Sequence, residues 1–175
     1  MRTIEPIAKL DFAFSQLCLR HKFSLPVARV SQAISHTGDG HLYALIGALA
    51  WFVDGPLGLV FLMTGLLAFA IELPIYWLAK NLFKRRRPQE LSELLTSFIT
   101  PSDRYSLPSG HTSAAFLMAV LLGHFYSDTQ ILAMSWASAI AVSRVLLGVH
   151  FLTDVVIGAL LGTSCAVVAI SVMGG

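Results

Sequence analysis

The stretch LGLVFLMTGLLAFAIELPIYWLAKNLF, residues 57–83, indicates the fold class of this chain. It carries two charged residues, Glu72 and Lys80, and it is longer than the roughly 20 residues with which a helix crosses a bilayer. Over all 175 residues, 55% are hydrophobic and 13% are charged, about half the charged fraction of a soluble domain. These values exclude a disordered chain, a coiled coil and a nucleic-acid-binding domain, and they predict an integral membrane protein.

Four other apolar segments lie along the chain, at residues 41–53, 109–125, 129–147 and 150–172. Short turns separate most of them, and no linker or internal repeat interrupts the pattern. Together with residues 57–83 they predict an all-α integral membrane bundle of about five transmembrane helices. The length predicts a single domain over residues 1–175.

The first 38 residues have a different pattern. Ile7, Leu10, Phe14 and Leu17 recur at helical spacing, and polar side chains fall between them. This pattern predicts an N-terminal amphipathic helix in the membrane interface. The alternative is a helix packed across the ends of the bundle, and the two interpretations are compatible.

All twelve lysine and arginine residues fall on one side of the predicted topology. That side holds the N-terminal segment, the loop at residues 84–107 and the joint around Arg144, whereas the turns at Asp54 and Asp128 lie on the other side. The positive-inside rule therefore predicts that the basic side is cytoplasmic. The compactness of the chain favours a bacterial inner membrane.

Three polar clusters lie on this basic side, and the first is the basic run that ends at Pro88. Lys80, Lys84 and Arg87 are spaced by four and three residues, which predicts that they share one helical face at the membrane surface. The alternative for such a run is a basic membrane boundary or a patch for anionic lipids.

The second cluster, Pro108-Ser109-Gly110-His111, immediately precedes an apolar helix. The free N–H groups at a helix start suit an anion, and Ser109 is expected to cap the helix. An ordinary helix start with an exposed histidine is the alternative.

The third cluster contains Ser143, Arg144, His150 and Asp154. The spacing of four predicts that Asp154 lies beside His150 on a helix, where the carboxylate would hold one ring nitrogen and leave the other nucleophilic. The alternative is a buried polar pair that only fixes helix packing, and the neighbouring Arg144 argues against it.

Two other polar groups are interpreted as turns. His124 and Asp128 repeat the spacing of four, but they lie at the opposite end of the bundle from every basic residue. His36, Asp39 and His41 fall in a glycine-containing turn without metal-ligand spacing, so a capping Asp is expected there.

Taken together, the three clusters resemble the signature of the type-2 phosphatidic acid phosphatase superfamily, in its integral membrane lipid phosphatase branch. The signature is Lys, six residues, Arg-Pro; then Pro-Ser-Gly-His; then Ser-Arg, five residues, His, three residues, Asp. Every position is present between residues 80 and 154, so this range is the predicted catalytic signature region.

The resemblance implies a role for each matched residue. His150 would attack phosphorus and form a phosphohistidine, Asp154 would orient it, and His111 would act as general acid and base. The implied phosphate-binding residues are Lys80, Arg87, Ser109, Gly110 and Arg144. The resemblance implies neither a metal nor another cofactor.

Other polar residues lie near the signature. Lys84, Arg85 and Arg86 occupy its variable positions and are expected to touch lipid head groups or water. For Glu72, lining of the substrate cleft and pairing with a basic residue are both open.

The implied function is hydrolysis of a lipid phosphate monoester or diphosphate within the bilayer. Phosphatidate, phosphatidylglycerophosphate and undecaprenyl diphosphate are all compatible substrates, and the oligomeric state is open. A lipid phosphotransferase using the same intermediate and a non-catalytic lipid-binding membrane protein are the alternatives.

Overall fold

A computed structural model describes residues 5–20, 24–92, 95–101 and 103–174, and all regular structure within them is helical. Residues 1–4 and 21–23 of the predicted amphipathic segment lie outside the described residues. The α-helices are α1 (Glu5–Leu19), α2 (Ser24–His36), α3 (Gly40–Asp54), α4 (Pro56–Phe83), α5 (Pro88–Leu91), α6 (Gly110–Phe125), α7 (Gln130–Leu146) and α8 (Leu152–Met173). The prediction of an all-α fold is confirmed.

The five apolar segments of the sequence form α3, α4, α6, α7 and α8. Three described segments have the length and composition to cross a membrane, namely Pro56–Leu91, Ser127–Leu146 and Leu152–Met173. Helices α3 and α6 have 15 and 16 residues, which corresponds to about 23 and 24 Å at 1.5 Å per residue. The hydrocarbon core is about 30 Å thick, so these two helices are apolar members of the bundle that are shorter than a full crossing.

Large apolar side chains face outward on the apolar helices. Phe52, Trp77, Ile131 and Leu160 are all more than half exposed. Helices that are apolar around most of their circumference are typical of membrane spans. The outer surface of the bundle therefore suits a bilayer.

Helix α6 lies at the centre of the bundle and packs against α4, α7 and α8. Two glycines allow its close approach to α8: a Cβ at Gly158 would lie 2.6 Å from the carbonyl oxygen of Ser109, and one at Gly162 would lie 1.9 Å from that of Ser113. Small residues at helix contacts in membranes permit such backbone contact. As a result, the N-terminal ends of α6 and α8 lie side by side, and they carry the second and third sequence clusters.

Helix α1 packs against α7 and α8 with its apolar stripe outward. Ile7, Leu10 and Leu17 are at least half exposed, whereas Asp11 and Ser15 are buried against the bundle. The polar side of the helix therefore faces the protein and the apolar side faces away from it. This arrangement agrees with both interpretations of the amphipathic pattern, since the helix packs on the bundle and presents an apolar surface.

The expectation that Lys80, Lys84 and Arg87 share a helical face is wrong. Helix α4 ends at Phe83, and Lys84 adopts a left-handed conformation with φ of 46°. Arg87 is extended and precedes Pro88, because a residue before proline is disfavoured in the α conformation.

The expected helical stacking of His150 and Asp154 is also wrong, although the two side chains do meet. Helix α8 begins at Leu152, so His150 lies in the preceding loop. Asp154 accepts a hydrogen bond of 2.8 Å from the backbone N–H of Phe151 and thereby caps the helix. Asp154 is thus the third residue of α8, and its carboxylate satisfies the backbone N–H of the N-cap residue Phe151, which directly follows His150.

Candidate active site

His150 lies at the centre of the polar cluster and is 3% exposed. Its Nδ1 atom is 3.7 Å from Oδ2 of Asp154, a separation that is longer than a hydrogen bond. Burial, together with the charge of Arg144, lowers the pKa of His150 to about 4. The imidazole is therefore neutral at pH 7, which is the form that can act as a nucleophile.

Arg85 connects the carboxylate of Asp154 to helix α1. Its guanidinium donates to Oδ1 of Asp154 at 2.7 Å and to Oδ2 of Asp11 at 2.6 Å, and it lies over the ring of Phe151. Asp11 also accepts from the backbone N–H of Thr153 at 3.1 Å. The expectation that Arg85 touches lipid or water is wrong, because two buried carboxylates require a cation between them.

The neighbours of Arg85 behave as expected. Lys84 and Arg86 are exposed at the end of the bundle. The backbone of Arg85 is held by Ser106, whose N–H donates to the Arg85 carbonyl at 2.9 Å. Of these three consecutive basic residues, the fold directs only the middle one inward.

Lys80 and Arg87 are buried and meet at the carboxylate of Asp103. Lys80 donates to Asp103 Oδ2 at 2.7 Å, Arg87 donates to Oδ1, and the hydroxyl of Tyr76 donates to Oδ2 at 2.7 Å. Partial burial alone would raise the pKa of Asp103, but the hydrogen bonds from Lys80 and Tyr76 outweigh it and lower the pKa. Asp103 is therefore charged at pH 7 and compensates part of the positive charge of the site.

The two arginines of the signature lie next to the loop that carries His150. Arg87 donates to the carbonyl of Val149 at 2.5 Å. Arg144 donates to the hydroxyl of Ser35 at 2.7 Å, and its Nε atom is buried without a hydrogen-bond partner among the described residues. A buried guanidinium N–H that lacks a partner is costly, so it suits an anionic ligand.

The Pro-Ser-Gly-His cluster forms the start of α6, as predicted, but its serine bonds differently. Ser109 occupies the N-cap position without a side-chain bond to the backbone. Its hydroxyl lies 2.9 Å from that of Thr112, and its backbone N–H donates to the Asp154 carbonyl at 3.0 Å. At Gly110, a Cβ would lie 2.9 Å from the ring of Tyr76, so a side chain there would displace that ring.

Asp39 contacts two histidines. Its Oδ1 atom is 3.0 Å from Nε2 of His111, and its Oδ2 atom is 2.5 Å from Nδ1 of His36. Asp39 occupies the N-cap position of α3, as expected, but its side chain makes no capping bond to the helix. Partial burial alone would raise the pKa of Asp39, but its bonds to His36 and His111 outweigh burial and lower it. Burial and the charge of Arg144 lower the pKa of His111, and the bond to Asp39 offsets part of this lowering.

A cavity of about 530 Å³ connects these groups to the apolar interior between α3, α4 and α6. Five residues of the predicted site line it or its mouth, namely Arg87, Gly110, His111, Arg144 and His150. The other three are buried beside these residues, namely Lys80, Ser109 and Asp154. One cavity thus brings together the implied nucleophile, the general acid and two of the cations.

Glu72 lines the same cavity and is buried. Its Oε1 atom accepts a hydrogen bond of 2.6 Å from the hydroxyl of Ser113. Of the two roles left open by the sequence, lining of the cleft therefore agrees with the structure.

His124 and Asp128, which repeat the spacing of His150 and Asp154, lie away from this cavity. His124 is in the last turn of α6 and its ring contacts Phe125, at the opposite end of that helix from His111.

Among the described residues, no group of three or more His, Cys, Asp or Glu side chains could hold a metal ion.

Comparison with known proteins identifies the family. The model of the PAP2 superfamily matches residues 56–175, more than half of the chain. The chain belongs to the PAP2 superfamily. The resemblance seen in the sequence is thus confirmed.

Relatives and solved structures agree with this membership. Decaprenylphosphoryl-5-phosphoribose phosphatase of Mycobacterium tuberculosis is 33% identical over 156 residues, which cover 83% of this chain and 80% of the relative. A probable lipid phosphate phosphatase beta of Arabidopsis thaliana is 29% identical over 66% of each chain. The prediction of an enzyme is confirmed, since these PAP2 relatives are phosphatases.

Two crystal structures have the same fold. A transmembrane PAP2-type phosphatidylglycerolphosphate phosphatase from Bacillus subtilis has a TM-score of 0.76 and 25% identity, covering 95% of this chain and 86% of that one. Aquifex aeolicus LpxE has a TM-score of 0.80 and 24% identity, covering 93% and 95%, and supports the fold alone. An integral membrane protein of helical architecture is thereby confirmed.

Sequence reasoning missed four residues of the polar cluster: Asp11, Asp39, Arg85 and Asp103. Each lies outside the signature positions or in a variable one. A charge argument could have indicated that partners exist, because three buried cations require nearby carboxylates. It could not have identified them, since Asp11 and Asp39 approach the site only through the packing of separate helices.

We predict that Arg85→Ala lowers kcat because Asp154 loses the cation that holds it, while Lys84→Ala does not. The expected loss is roughly 10–100-fold, the range found when groups that orient a reactive ligand are removed in metal sites. Steady-state phosphate release measures the loss of kcat, and the melting temperature in detergent shows whether each variant is still folded. Equal activity of the two variants would contradict the positioning role of Arg85.

Proposed function

We propose that this chain hydrolyses the phosphate ester of a membrane lipid through a phosphohistidine at His150, without a metal ion. The observation that carries the proposal is the single cavity in which the neutral His150, His111 and two arginines meet. This cavity continues into the apolar interior, where part of a lipid tail can be accommodated. A buried, uncharged imidazole beside buried cations is the arrangement that attack on a phosphate dianion requires.

In the first step, His150 attacks phosphorus. Since Nδ1 faces Asp154, Nε2 is the nitrogen left to form the N–P bond. The P–O bond to the lipid alcohol breaks, and His111 donates a proton to the departing oxygen. The ring of His150 becomes cationic in this step, and the carboxylate of Asp154 stabilises it.

In the second step, water replaces His150 at phosphorus. His111, now neutral, removes a proton from the water as its oxygen forms the new P–O bond. The N–P bond breaks, inorganic phosphate leaves, and both histidines return to their initial states. Burial and Arg144 lower the pKa of His111, and Asp39, bonded to it at 3.0 Å, opposes that lowering and so favours proton uptake from the water.

The cations of the site would stabilise the transferring phosphoryl group. Arg144 has a buried Nε atom without a partner among the described residues, and Arg87 lies at the same cavity. Lys80 pairs with Asp103, the carboxylate that also pairs with Arg87, and so adds positive charge next to Arg87. Fixed cations can supply the charge stabilisation that a metal ion often supplies in phosphoryl transfer.

The substrate is proposed to be a lipid phosphate. The Mycobacterium tuberculosis relative is named for a phosphoribose carried on a polyprenyl phosphate, and the Bacillus subtilis structure is of a phosphatidylglycerolphosphate phosphatase. Phosphatidate and undecaprenyl diphosphate are further compounds of the same class. All of them place a phosphate at the membrane surface and a long apolar chain in the bilayer.

The test is phosphate release by the detergent-purified protein with EDTA present, using phosphatidate, phosphatidylglycerophosphate and undecaprenyl diphosphate side by side. We predict metal-independent release that His150→Ala abolishes, because the variant has no nucleophile. Lys84→Ala, which changes an exposed cation, should leave release nearly unchanged. Release that requires a metal, or that survives in His150→Ala, would refute the mechanism.

The proposed site faces the cytoplasm of a bacterial cell, because every lysine and arginine lies on that side of the predicted topology. Arg104 is exposed close to the site, so Arg104→Cys in a background lacking Cys18 and Cys165 reports the orientation. We predict labelling by a membrane-impermeant maleimide only after the cells are opened. Asp128→Cys is the matched control and should be labelled in intact cells; the reverse pattern would place the site outside.

A further inference from the structure

The cavity is lined by acidic and phenolic side chains as well as by Arg87 and Arg144. Its other polar lining residues include carboxylates and phenols, namely Asp39, Tyr43, Glu72 and Tyr76. Two of these have a partner within the catalytic cluster, since Tyr76 donates to Asp103 and Asp39 contacts His111. The mechanism proposed above uses neither Tyr43 nor Glu72.

Glu72 is a carboxyl group inside the bundle and is 2% exposed. Its recorded contact is the hydrogen bond of 2.6 Å from Ser113, two residues after His111 in α6. No ion pair to Glu72 occurs among the residues that the structure describes. An acidic side chain at membrane depth is costly and usually has a functional role. Glu72 lines the same cavity as His111, which would protonate the group that leaves.

Tyr43 offers a second polar atom in the same cavity. Its side chain is 5% exposed, and its ring contacts Phe69, three residues before Glu72 in α4, at a centroid distance of 5.8 Å. The hydroxyl has no hydrogen-bond partner within the described part of the chain. A buried hydroxyl without a partner costs free energy, so a ligand group that bonds to it would remove this cost.

The charges of the lining discriminate between possible substrates. Among the described residues that line the cavity, the permanently charged cations are Arg87 and Arg144, and both serve the phosphate that reacts. A second phosphate attached directly to the first would meet the charged carboxylates of Asp39 and Asp103 in the cavity lining, and like charges repel. An alcohol group has no such penalty, because a carboxyl oxygen accepts from it and a phenol can donate to it.

We propose that Glu72 and Tyr43 form a subsite for a hydroxyl group next to the scissile phosphate, so the enzyme selects phosphate monoesters carried on a polyol or sugar. This inference rests on the proposed function and specifies its substrate class. Glu72 accepts a hydrogen bond from the substrate hydroxyl, and the hydroxyl of Tyr43 donates a hydrogen bond to the oxygen of the same group. Diphosphates that lack a hydroxyl-bearing group are poor substrates.

The experiment compares two lipids that differ by one oxygen. Lysophosphatidate carries a hydroxyl on the carbon next to the phosphate-bearing carbon, and its 2-deoxy analogue, built on propanediol, lacks it. Both present the same phosphate monoester and the same acyl chain in matched detergent micelles. We expect kcat/KM of the unmodified enzyme to be about tenfold or more higher for lysophosphatidate, because a site that reads a hydroxyl discriminates against its absence.

Two variants assign the preference to the subsite. Tyr43→Phe and Glu72→Leu should lower kcat/KM for lysophosphatidate and leave that for the deoxy analogue largely unchanged, so the ratio approaches one. Retained turnover of the deoxy analogue also shows that the variant is folded. Tyr126→Phe makes the same chemical change at a tyrosine outside the cavity lining and should keep the original ratio.

The possible results separate the subsite from the reaction itself. Equal kcat/KM for the two lipids in the unmodified enzyme, or an unchanged ratio in both Tyr43→Phe and Glu72→Leu, would overturn the subsite while leaving the lipid phosphatase intact. Faster hydrolysis of undecaprenyl diphosphate than of lysophosphatidate would overturn the charge argument. Absence of phosphate release from every lipid would overturn the proposed function, and the subsite with it.

Discussion

Asp154 is the residue on which the arrangement of the buried polar cluster depends, because it bonds to all three parts of the signature. Its carboxylate caps α8, faces His150 and accepts from Arg85. Its backbone carbonyl accepts from Ser109 at the start of α6. A buried carboxylate is stable only when it is bonded and charge-compensated. Satisfying this one group therefore brings the basic loop, the start of α6 and the His150 loop to one place.

Charge compensation in a dry interior explains the composition of the surrounding shell. Lys80 and Arg87 converge on Asp103, and Arg85 lies between two carboxylates. Each pairing joins segments that are distant in sequence, so the ion pairs also determine how the helices meet. Arg144 differs, because its Nε atom has no partner among the described residues. Protein carboxylates thus compensate most of the positive charge of the site, and the Nε–H group of Arg144 remains available to a ligand.

The sequence was sufficient for some features and not for others. Apolar length and the signature spacing predicted the membrane bundle and brought His111, His150 and Arg144 to one site before any coordinates. Helical periodicity failed where polar contacts terminate helices, as at Lys84 and at His150. Spacing also could not show that Arg85 points inward, because its orientation depends on Asp11 from α1. Local sequence determines helices, whereas the partners of buried charges depend on which helices pack together.

The most direct test of this account is to trap the covalent intermediate. Lysophosphatidate carrying a radioactive phosphate would be mixed with the enzyme, quenched rapidly in alkali, and the labelled peptide identified by mass spectrometry. The account predicts an alkali-stable, acid-labile phosphoryl group on His150 that forms before free phosphate appears. Turnover without any labelled enzyme, or a label on another residue, would contradict it.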